Sequence, residues 1–444
     1  MTRITVSLVL MLSIAIGGCG RPSGPPVAPV TEISPPSSGA VTASADDPAP
    51  QISADDWPQW RGPNEDGVST GPAVPVSWKG GAAPENIVWK QQIPGRGHSS
   101  PIIIGDHIYV ETADEQAQVQ SVLSLSRADG KQVWKTDLFK GNFEKEMHGE
   151  NTQASSTIAF DGERLFAPFL NDRKIWMVAL DLAGKELWRK EVGGFESQFG
   201  FSSSPALYKS LVIIAADHRG GGFLAALNRK SGEIVWRKSR PASSSYASPR
   251  VVTVAGKDQL VICGCDLVAS FDPLTGKENW ATKGTTSASV GTMVVAGDLM
   301  FASGGYPGRD TVALNSAGEV AWRNGEKSYV PSLITYQDHL YMVNDEGIAY
   351  CYDAKTGKER WKKRIGGNFR VSPVLNDGHI FTTDMSGKTT VFKAQPTALE
   401  IVAENQLGTE GFASPGISKG QLFMRVGDNS TGTRHDWIYC IGKK

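Results

Sequence analysis

The 444-residue sequence predicts an all-β fold, an eight-bladed β-propeller with four strands in each blade. Three observations predict it. A hairpin pattern with Asp or Asn, Gly and Trp recurs along the chain, and a second pattern, a small polar pair followed by two strands, precedes each hairpin. In addition, the last repeat of the chain lacks its fourth strand, and a segment before the first repeat can supply it.

The hairpin pattern reads as an apolar pair, Asp or Asn, a short polar turn, Gly, and Trp three or four residues later. Its copies span 125–134 (with Ser in place of Asp), 180–188, 227–236, 271–280, 314–322 and 352–361, and a worn copy without Trp spans 392–402. The Asp or Asn side chain caps a tight turn, and Gly accepts a positive φ. The tryptophan on the outgoing strand can pack against a neighbouring sheet, where an aromatic ring buries about 150–250 Å².

The second pattern is a small polar pair, often Ser-Pro, followed by an apolar strand, a turn and another strand. Its eight copies begin at Ser100, Ser155, Ser204, Ser248, Ser287, Pro331, Ser372 and Ser414. One copy of each pattern together gives four strands, which is the content of one propeller blade.

The eighth blade is predicted to form from both ends of the propeller. The stretch 437–441 reads as a third strand without a fourth, and 86–89 provides the missing one. Pairing them closes the ring and leaves no open edge. The residues from 87 to 442 then give about 44 per blade. The prediction requires Trp89 and Tyr439 to lie in one sheet.

The N-terminus is predicted to be a lipoprotein signal peptide over 1–18. Arg3 precedes an apolar run that is too short to span a bilayer. The run ends in Ile16-Gly17-Gly18-Cys19, which resembles a lipobox and predicts lipidation of Cys19. An ordinary signal peptide followed by an incidental cysteine is the alternative. Residues 19–55, rich in Pro, Ser and Ala, then form a flexible tether, and 56–444 form the propeller.

Charge and cysteine content exclude some classes of function. The formal net charge is −1 without long blocks of either sign, which disfavours nucleic-acid binding. The cysteines other than Cys19 show no zinc spacing and are interpreted as buried apolar residues. A local bridge between Cys263 and Cys265 stays open as an alternative.

Over residues 57–442 these repeats resemble the PQQ-like β-propeller repeat proteins, which include BamB-type lipoproteins of outer-membrane assembly and quinoprotein dehydrogenases. The stretch 56–64 is similar to lead-in segments of such families. The dehydrogenase resemblance implies a quinone and calcium on a tryptophan floor at the propeller axis, with two adjacent cysteines nearby. Here Gly264 separates the cysteines, and most tryptophans sit at repeat positions. No cofactor is therefore favoured, and PQQ with calcium is the alternative.

Charged and polar residues are predicted to gather at the mouth of an axial funnel, because the loops that carry them should share one face of the disc. The candidates for ligand or partner binding are Arg96, His98, His148, Asn151, Asp217, His218, Arg240, Arg309, Arg370 and Arg425. The long connection 135–153 is expected to cover part of the mouth. Converging arginines can bind carboxylates or phosphates. The alternative is that these residues are solvated loop charges, which would give the same sequence pattern.

No residue is singled out as catalytic, and no resident metal site is predicted. The turn 64–67 is weakly suggestive of calcium, but lacks the alternating oxygen ligands of an EF-hand. The function predicted is a non-enzymatic scaffold, exported and lipid-anchored to a cell-envelope membrane on its periplasmic or cell-surface side. By resemblance to BamB, it would serve outer-membrane protein assembly with an envelope protein partner. The alternatives are a quinoprotein-like oxidoreductase and a carbohydrate- or anion-binding module.

Overall fold

The computed structural model describes residues 30–35, 52–145, 147–196 and 198–443, so the predicted signal peptide and Cys19 lie outside the described residues. In that part of the chain the structure is all-β, with eight four-stranded antiparallel blades around one axis. The predicted eight-bladed propeller is confirmed. None of the described residues forms a helix that is long and apolar enough to cross a membrane.

The strands follow one another around the ring, and in blades 1 to 7 each sheet is built in chain order from the axis outwards. Two strands precede the first blade: β1 (Val68–Ser69) and β2 (Ile87–Ile93). Blade 1 contains β3 (Ile102–Ile104), β4 (His107–Asp114), β5 (Val119–Ser126) and β6 (Gln132–Lys140). Blade 2 contains β7 (Ala159–Phe160), β8 (Leu165–Asn171), β9 (Lys174–Leu180) and β10 (Glu186–Gly194). Blade 3 contains β11 (Ala206–Tyr208), β12 (Leu211–Ala216), β13 (Phe223–Asn228) and β14 (Ile234–Ser239).

The second half of the ring repeats this arrangement. Blade 4 contains β15 (Arg250–Val254), β16 (Lys257–Gly264), β17 (Leu267–Phe271) and β18 (Glu278–Lys283). Blade 5 contains β19 (Val294–Ala296), β20 (Leu299–Gly304), β21 (Asp310–Leu314) and β22 (Val320–Asn324). Blade 6 contains β23 (Ile334–Tyr336), β24 (His339–Val343), β25 (Ile348–Asp353) and β26 (Glu359–Arg364). Blade 7 contains β27 (Val374–Asn376), β28 (His379–Thr383), β29 (Lys388–Lys393) and β30 (Ile401–Gln406). Blade 8 contains β31 (Gly416–Ser418), β32 (Gln421–Asp428) and β33 (His435–Ile441).

Blade 8 is completed by β2, which pairs antiparallel with β33 as the outermost strand. Trp89 lies opposite Cys440, and Lys90 lies opposite Tyr439. The predicted ring closure is confirmed. It follows from the chain's incomplete end pattern, because an open sheet edge would leave backbone donors and acceptors unpaired.

The hairpin pattern joins neighbouring blades. A Cβ built on Gly184, whose φ is +84°, would lie 2.7 Å from the ring of Trp134 in the preceding blade. The indole N–H of Trp134 also donates to the carbonyl oxygen of Leu182 in the same turn. Five further turn glycines, at 130, 232, 276, 318 and 357, meet the tryptophan of the preceding blade in the same way. The tryptophan therefore needs a neighbour without a side chain, which explains why Gly and Trp recur together.

A ring of hydroxyl groups surrounds the axis where each chain segment enters its innermost strand. Its members are Ser100, Thr157, Ser204, Ser248, Thr292, Ser332, Ser372 and Ser414. In seven of the eight steps around the ring, a backbone N–H donates to the hydroxyl of the next blade at 2.9–3.2 Å. The recurring Ser-Pro motif thus ties the inner ends of the blades together. In blade 5 the ring member is Thr292, not a residue of the predicted 287–289 copy.

Residues 56–69, here called the axial plug, run across one end of the axis. The N–H of Trp57 donates to the carbonyl oxygen of Ile103 in blade 1 at 2.8 Å. The guanidinium of Arg61 donates to the carbonyl oxygen of Leu333 in blade 6 at 2.6 Å. Strand β1 adds in parallel to the inner strand of blade 7. The plug therefore closes the channel that eight converging inner strands would otherwise leave.

Candidate functional site

The axial funnel is a cavity of about 420 Å³ at the centre of the face opposite the plug's entry. All eight blades contribute to its wall through residues just before their innermost strands. Its aromatic lining consists of Trp60, Phe199, Tyr246, Tyr329 and Phe412. Its polar lining consists of His98, His148, Glu150, Asn151, Ser155, Ser202, Ser204, Ser248, Arg370 and Ser372. Aromatic side chains beside converging polar groups are typical of a ligand site.

The floor of the funnel is Trp60, which the axial plug carries into the channel. Its indole N–H donates to the hydroxyl of Thr292 at 2.9 Å. This residue was not among the funnel residues predicted from the sequence. The available signal was that Trp57 and Trp60 are tryptophans outside the repeat positions.

A strap made by residues 147–153 reaches over the mouth from the connection between blades 1 and 2. Glu150 pairs with Arg370 of the blade 7 entry, with 2.8 Å between Oε2 and Nε. Asn151 donates its side-chain amide to the carbonyl oxygen of Phe199, and the ring of His148 meets Phe199 edge-on at 5.5 Å. The long connection that was expected to cover part of the mouth contributes three lining residues there.

His98 lies in the wall, stacked on Phe412 with 4.4 Å between ring centroids. Its Nε2 is buried and has no hydrogen-bond partner among the described residues. Burial, together with the charges of Arg96, Arg425 and Arg434, holds the pKa of this imidazole well below its usual range. His98 is therefore neutral at pH 7, and one of its ring nitrogens is a donor and the other an acceptor.

Four of the predicted site residues line the funnel, namely His98, His148, Asn151 and Arg370. Arg96 lies beside them, because its Nη2 donates to the carbonyl oxygen of Gly149 in the strap at 3.3 Å. The other five candidates do not line the funnel. They were grouped by loop position alone, which does not tell an axial side chain from one buried between blades.

Two of those five form a buried ion pair. Arg240 binds Asp217 through two hydrogen bonds of 2.6 and 2.9 Å. Arg425 pairs with Asp436 in the same way at 3.0 and 2.7 Å, and also donates to the carbonyl oxygen of Glu111 in blade 1. These guanidinium groups are already neutralised and join strands or blades, so they serve the architecture.

The remaining two candidates also lie away from the funnel. His218 is fully buried, and its Nδ1 accepts the backbone N–H groups of Glu196 and Gly220. Arg309 lines a separate shallow hollow and pairs with Glu346 at 3.6 Å.

The cysteines fit the interpretation as buried residues. Cys263, Cys265, Cys351 and Cys440 are all free and buried. The Sγ of Cys263 points to the carbonyl oxygen of Gly291, and that of Cys265 to the carbonyl oxygen of Ser243. No local bridge forms, and burial raises the pKa of Cys263 to about 12.

The dehydrogenase alternative would require ligands for a calcium ion and a quinone in the funnel. Within the described ranges, no group of three or more His, Cys, Asp and Glu side chains could hold a metal ion. The carboxylate that lines the funnel, Glu150, is bound to Arg370. The turn that suggested calcium serves the plug instead, since Arg250 donates to the carbonyl oxygen of Asn64.

The fold and the funnel define the class of protein, a PQQ-like repeat propeller with an axial funnel closed at one end. The chain belongs to the family described as outer membrane protein assembly factor BamB, whose model matches residues 79–134, 118–363 and 308–396.

Two curated relatives are similar over much of their length. Tetrathionate hydrolase of Acidithiobacillus ferrooxidans is 19% identical over 347 residues, which cover 67% of this chain and 65% of that protein. Outer membrane protein assembly factor BamB of Burkholderia pseudomallei is 25% identical over 290 residues, which cover 62% of this chain and 68% of that protein. The chain thus spans about two thirds of the length of these relatives.

Solved structures share the fold. BamB from Moraxella catarrhalis superposes with a TM-score of 0.59 at 16% identity, covering 79% of this chain and 98% of that one. A europium-containing methanol dehydrogenase superposes with a TM-score of 0.68 at 11% identity, covering 88% and 98%. At these identities the likeness concerns the fold, which hosts both kinds of protein.

Proposed function

We propose that this chain is a lipid-anchored protein of the cell envelope that acts as a non-enzymatic scaffold in outer-membrane protein assembly. Membership of the BamB family supports the assembly role. The lipobox-like sequence that ends at Cys19 supports the anchor. In this proposal the funnel mouth is the face that meets a protein partner.

The observation that carries the proposal is an aromatic surface at the mouth. Tyr306 is 63% exposed and lies 6.5 Å from Tyr329, ring centroid to ring centroid. Tyr329 lines the funnel together with Tyr246 and Arg370. Tyrosine and arginine are enriched at the centres of protein interfaces, because they bury a large area and still form hydrogen bonds.

The test is photo-crosslinking in the cell from a reactive amino acid at Tyr306. The control carries the same group at His379. This residue begins β28 of blade 7, on the face of the disc opposite the funnel mouth. We expect Tyr306 to crosslink to an outer-membrane barrel-assembly protein and His379 not to do so. Equal crosslinking from both positions, or no assembly protein from Tyr306, would exclude the mouth as the partner face.

A second candidate function is the binding of a small carbohydrate or anion in the funnel. It is favoured by one observation, the buried and unpartnered Nε2 of His98 beside an aromatic wall. Aromatic rings stack on apolar ligand faces, and a buried nitrogen gains from a ligand hydrogen bond.

A glycan array and thermal melting with carboxylate and phosphate ligands test this candidate. A ligand that raises the melting temperature of the wild type should lose that effect in Trp60→Ala. The wild-type protein titrated with PQQ and calcium tests the oxidoreductase alternative, for which we expect no calcium-dependent binding.

A further inference from the structure

Residues 30–35 lie along the outer edge of blade 3. Ile33 and Arg237 of β14 form an antiparallel bridge and exchange two backbone hydrogen bonds of 2.9 Å each. Val30 packs against the apolar cluster formed by blades 2 and 3. The segment therefore adds a short strand to the outside of a complete four-stranded blade.

Three further contacts, each involving a side chain, hold this segment at the edge. Arg237 donates its Nε to the carbonyl oxygen of Thr31 at 2.9 Å. The carboxylate of Glu32 accepts the N–H of Ser239 at 3.1 Å and pairs with Lys238 at 3.6 Å. The edge thus offers open backbone groups beside two positive charges.

Blade 5 provides a comparison within the same chain. Arg323 and Arg237 each follow the hairpin tryptophan and reach the carbonyl oxygen of a residue in the preceding blade, Lys283 and Val192 respectively. In blade 5, however, Arg323 pairs with Asp310 at 3.3 Å, and no described segment adds to its outer strand. Both arginines therefore make the contact between blades, but among the described residues a docked strand is found at blade 3 and not at blade 5.

We propose that the outer edge of blade 3 is a docking site for an extended acidic segment of a partner protein, and that residues 30–35 occupy this site in cis. The occupant's chemistry is read from the docked strand: a carboxylate over Lys238 and Ser239, followed by an apolar residue that pairs with Arg237. Strand addition to a sheet edge is a general mode of peptide recognition.

The cis contact is suited to displacement. It pairs a single residue of the six-residue strand β14. Two backbone hydrogen bonds contribute modestly in water, so most of the cis occupancy comes from the high effective concentration of a tethered segment. A partner strand that pairs with more of β14 gains further hydrogen bonds and competes successfully.

The experiment uses the full chain and a fluorescent peptide with the sequence of residues 29–36. Ile33→Pro removes the N–H that donates to Arg237, which should open the edge in cis. We expect the peptide to bind the Ile33→Pro protein at least tenfold more tightly than the wild type in fluorescence anisotropy. A peptide with Glu32→Lys should bind that protein at least tenfold more weakly than the unaltered peptide.

Hydrogen exchange at the Arg237 amide is measured on the same proteins. It should be slow in the wild type and faster in Ile33→Pro. The proposal fails if exchange is equal in both proteins, and it also fails if the edge opens but the peptide gains no affinity. Arg237→Ala combined with Ile33→Pro should lose the peptide. Arg323→Ala combined with Ile33→Pro, which removes the equivalent bond between blades 5 and 4, should retain it.

Discussion

Glu65 shows how the axial plug places a titratable group in the interior. Its Oε2 lies 3.8 Å from Nε of Arg250, too far for a hydrogen bond, and this oxygen has no other partner among the described residues. Burial raises the pKa of Glu65 to about 8, against the opposing charge of Arg250. The unfavourable transfer from water thus outweighs a long ion pair.

The stability of the protein should therefore depend on Glu65 as pH rises. Between about 4.5, the unfolded pKa, and about 8, the folded state keeps a proton that the unfolded state releases. The free energy of unfolding should fall across this window, and Glu65→Gln should flatten the fall in urea titrations at pH 5, 7 and 8.5. Asp129→Asn is the control, because Asp129 is exposed and has a pKa lowered to about 2. An unchanged slope in Glu65→Gln would contradict this assignment.

The hydroxyl ring makes a second prediction for a single residue. The Oγ of Ser372 accepts the buried N–H of Ser332 at 2.9 Å. Ser372→Ala leaves that N–H unpaired and should cost about 1–3 kcal/mol in the free energy of unfolding. The exposed control Ser430→Ala should change it by less than about 0.5 kcal/mol. If chemical denaturation shows the same change in the free energy of unfolding for both variants, the hydroxyl ring does not stabilise the fold.

At the scale of the element, the hairpin unit joins a turn to the next blade. Gly184→Ala introduces both a positive-φ cost and a clash with Trp134. Gly297, with φ +56° and open space within 4 Å of the place that a Cβ would take, isolates the first cost. Gly297→Ala should lower the free energy of unfolding by about 1–2 kcal/mol, and Gly184→Ala should lower it by more. Similar losses of stability in both variants would show that the Trp134 ring can shift away from the added methyl group without lowering the free energy of unfolding.

The hairpins were predictable because their hydrogen bonds and turns are local. Asp181, Gly184 and Trp188 lie within nine residues of one another, and the Oδ1 of Asp181 accepts the N–H of Lys185 as the pattern indicates. The copy without Trp at 392–402, in blade 7, still connects the paired strands β29 and β30. Blade 5 was predicted less well, since Thr292 replaces the serine that the pattern leads one to expect.

At the scale of the whole molecule, the proposed lipid anchor would determine where the propeller works. Cys19→Ser should move the protein from the membrane fraction to the soluble envelope fraction, because in this proposal a single thiol carries the diacylglycerol. Ser23→Ala, a neutral change in the same segment, should leave it in the membrane fraction. A wild-type protein already found in the soluble envelope fraction would contradict the lipobox interpretation and favour the alternative of an ordinary signal peptide.

The blade count, the four-stranded repeat and the pairing of β2 with β33 could all be predicted from the sequence. They follow from periodic local patterns and from an incomplete pattern at each end. Which residues lie at the propeller axis, in the plug and in the funnel, could be seen only in the three-dimensional structure. Arg61 meets Leu333 across 272 positions, and Arg370 meets Glu150 across 220. Contacts of that separation leave no period in the sequence, because each depends on where eight blades converge. For that reason the funnel floor at Trp60 could not be read from the repeats.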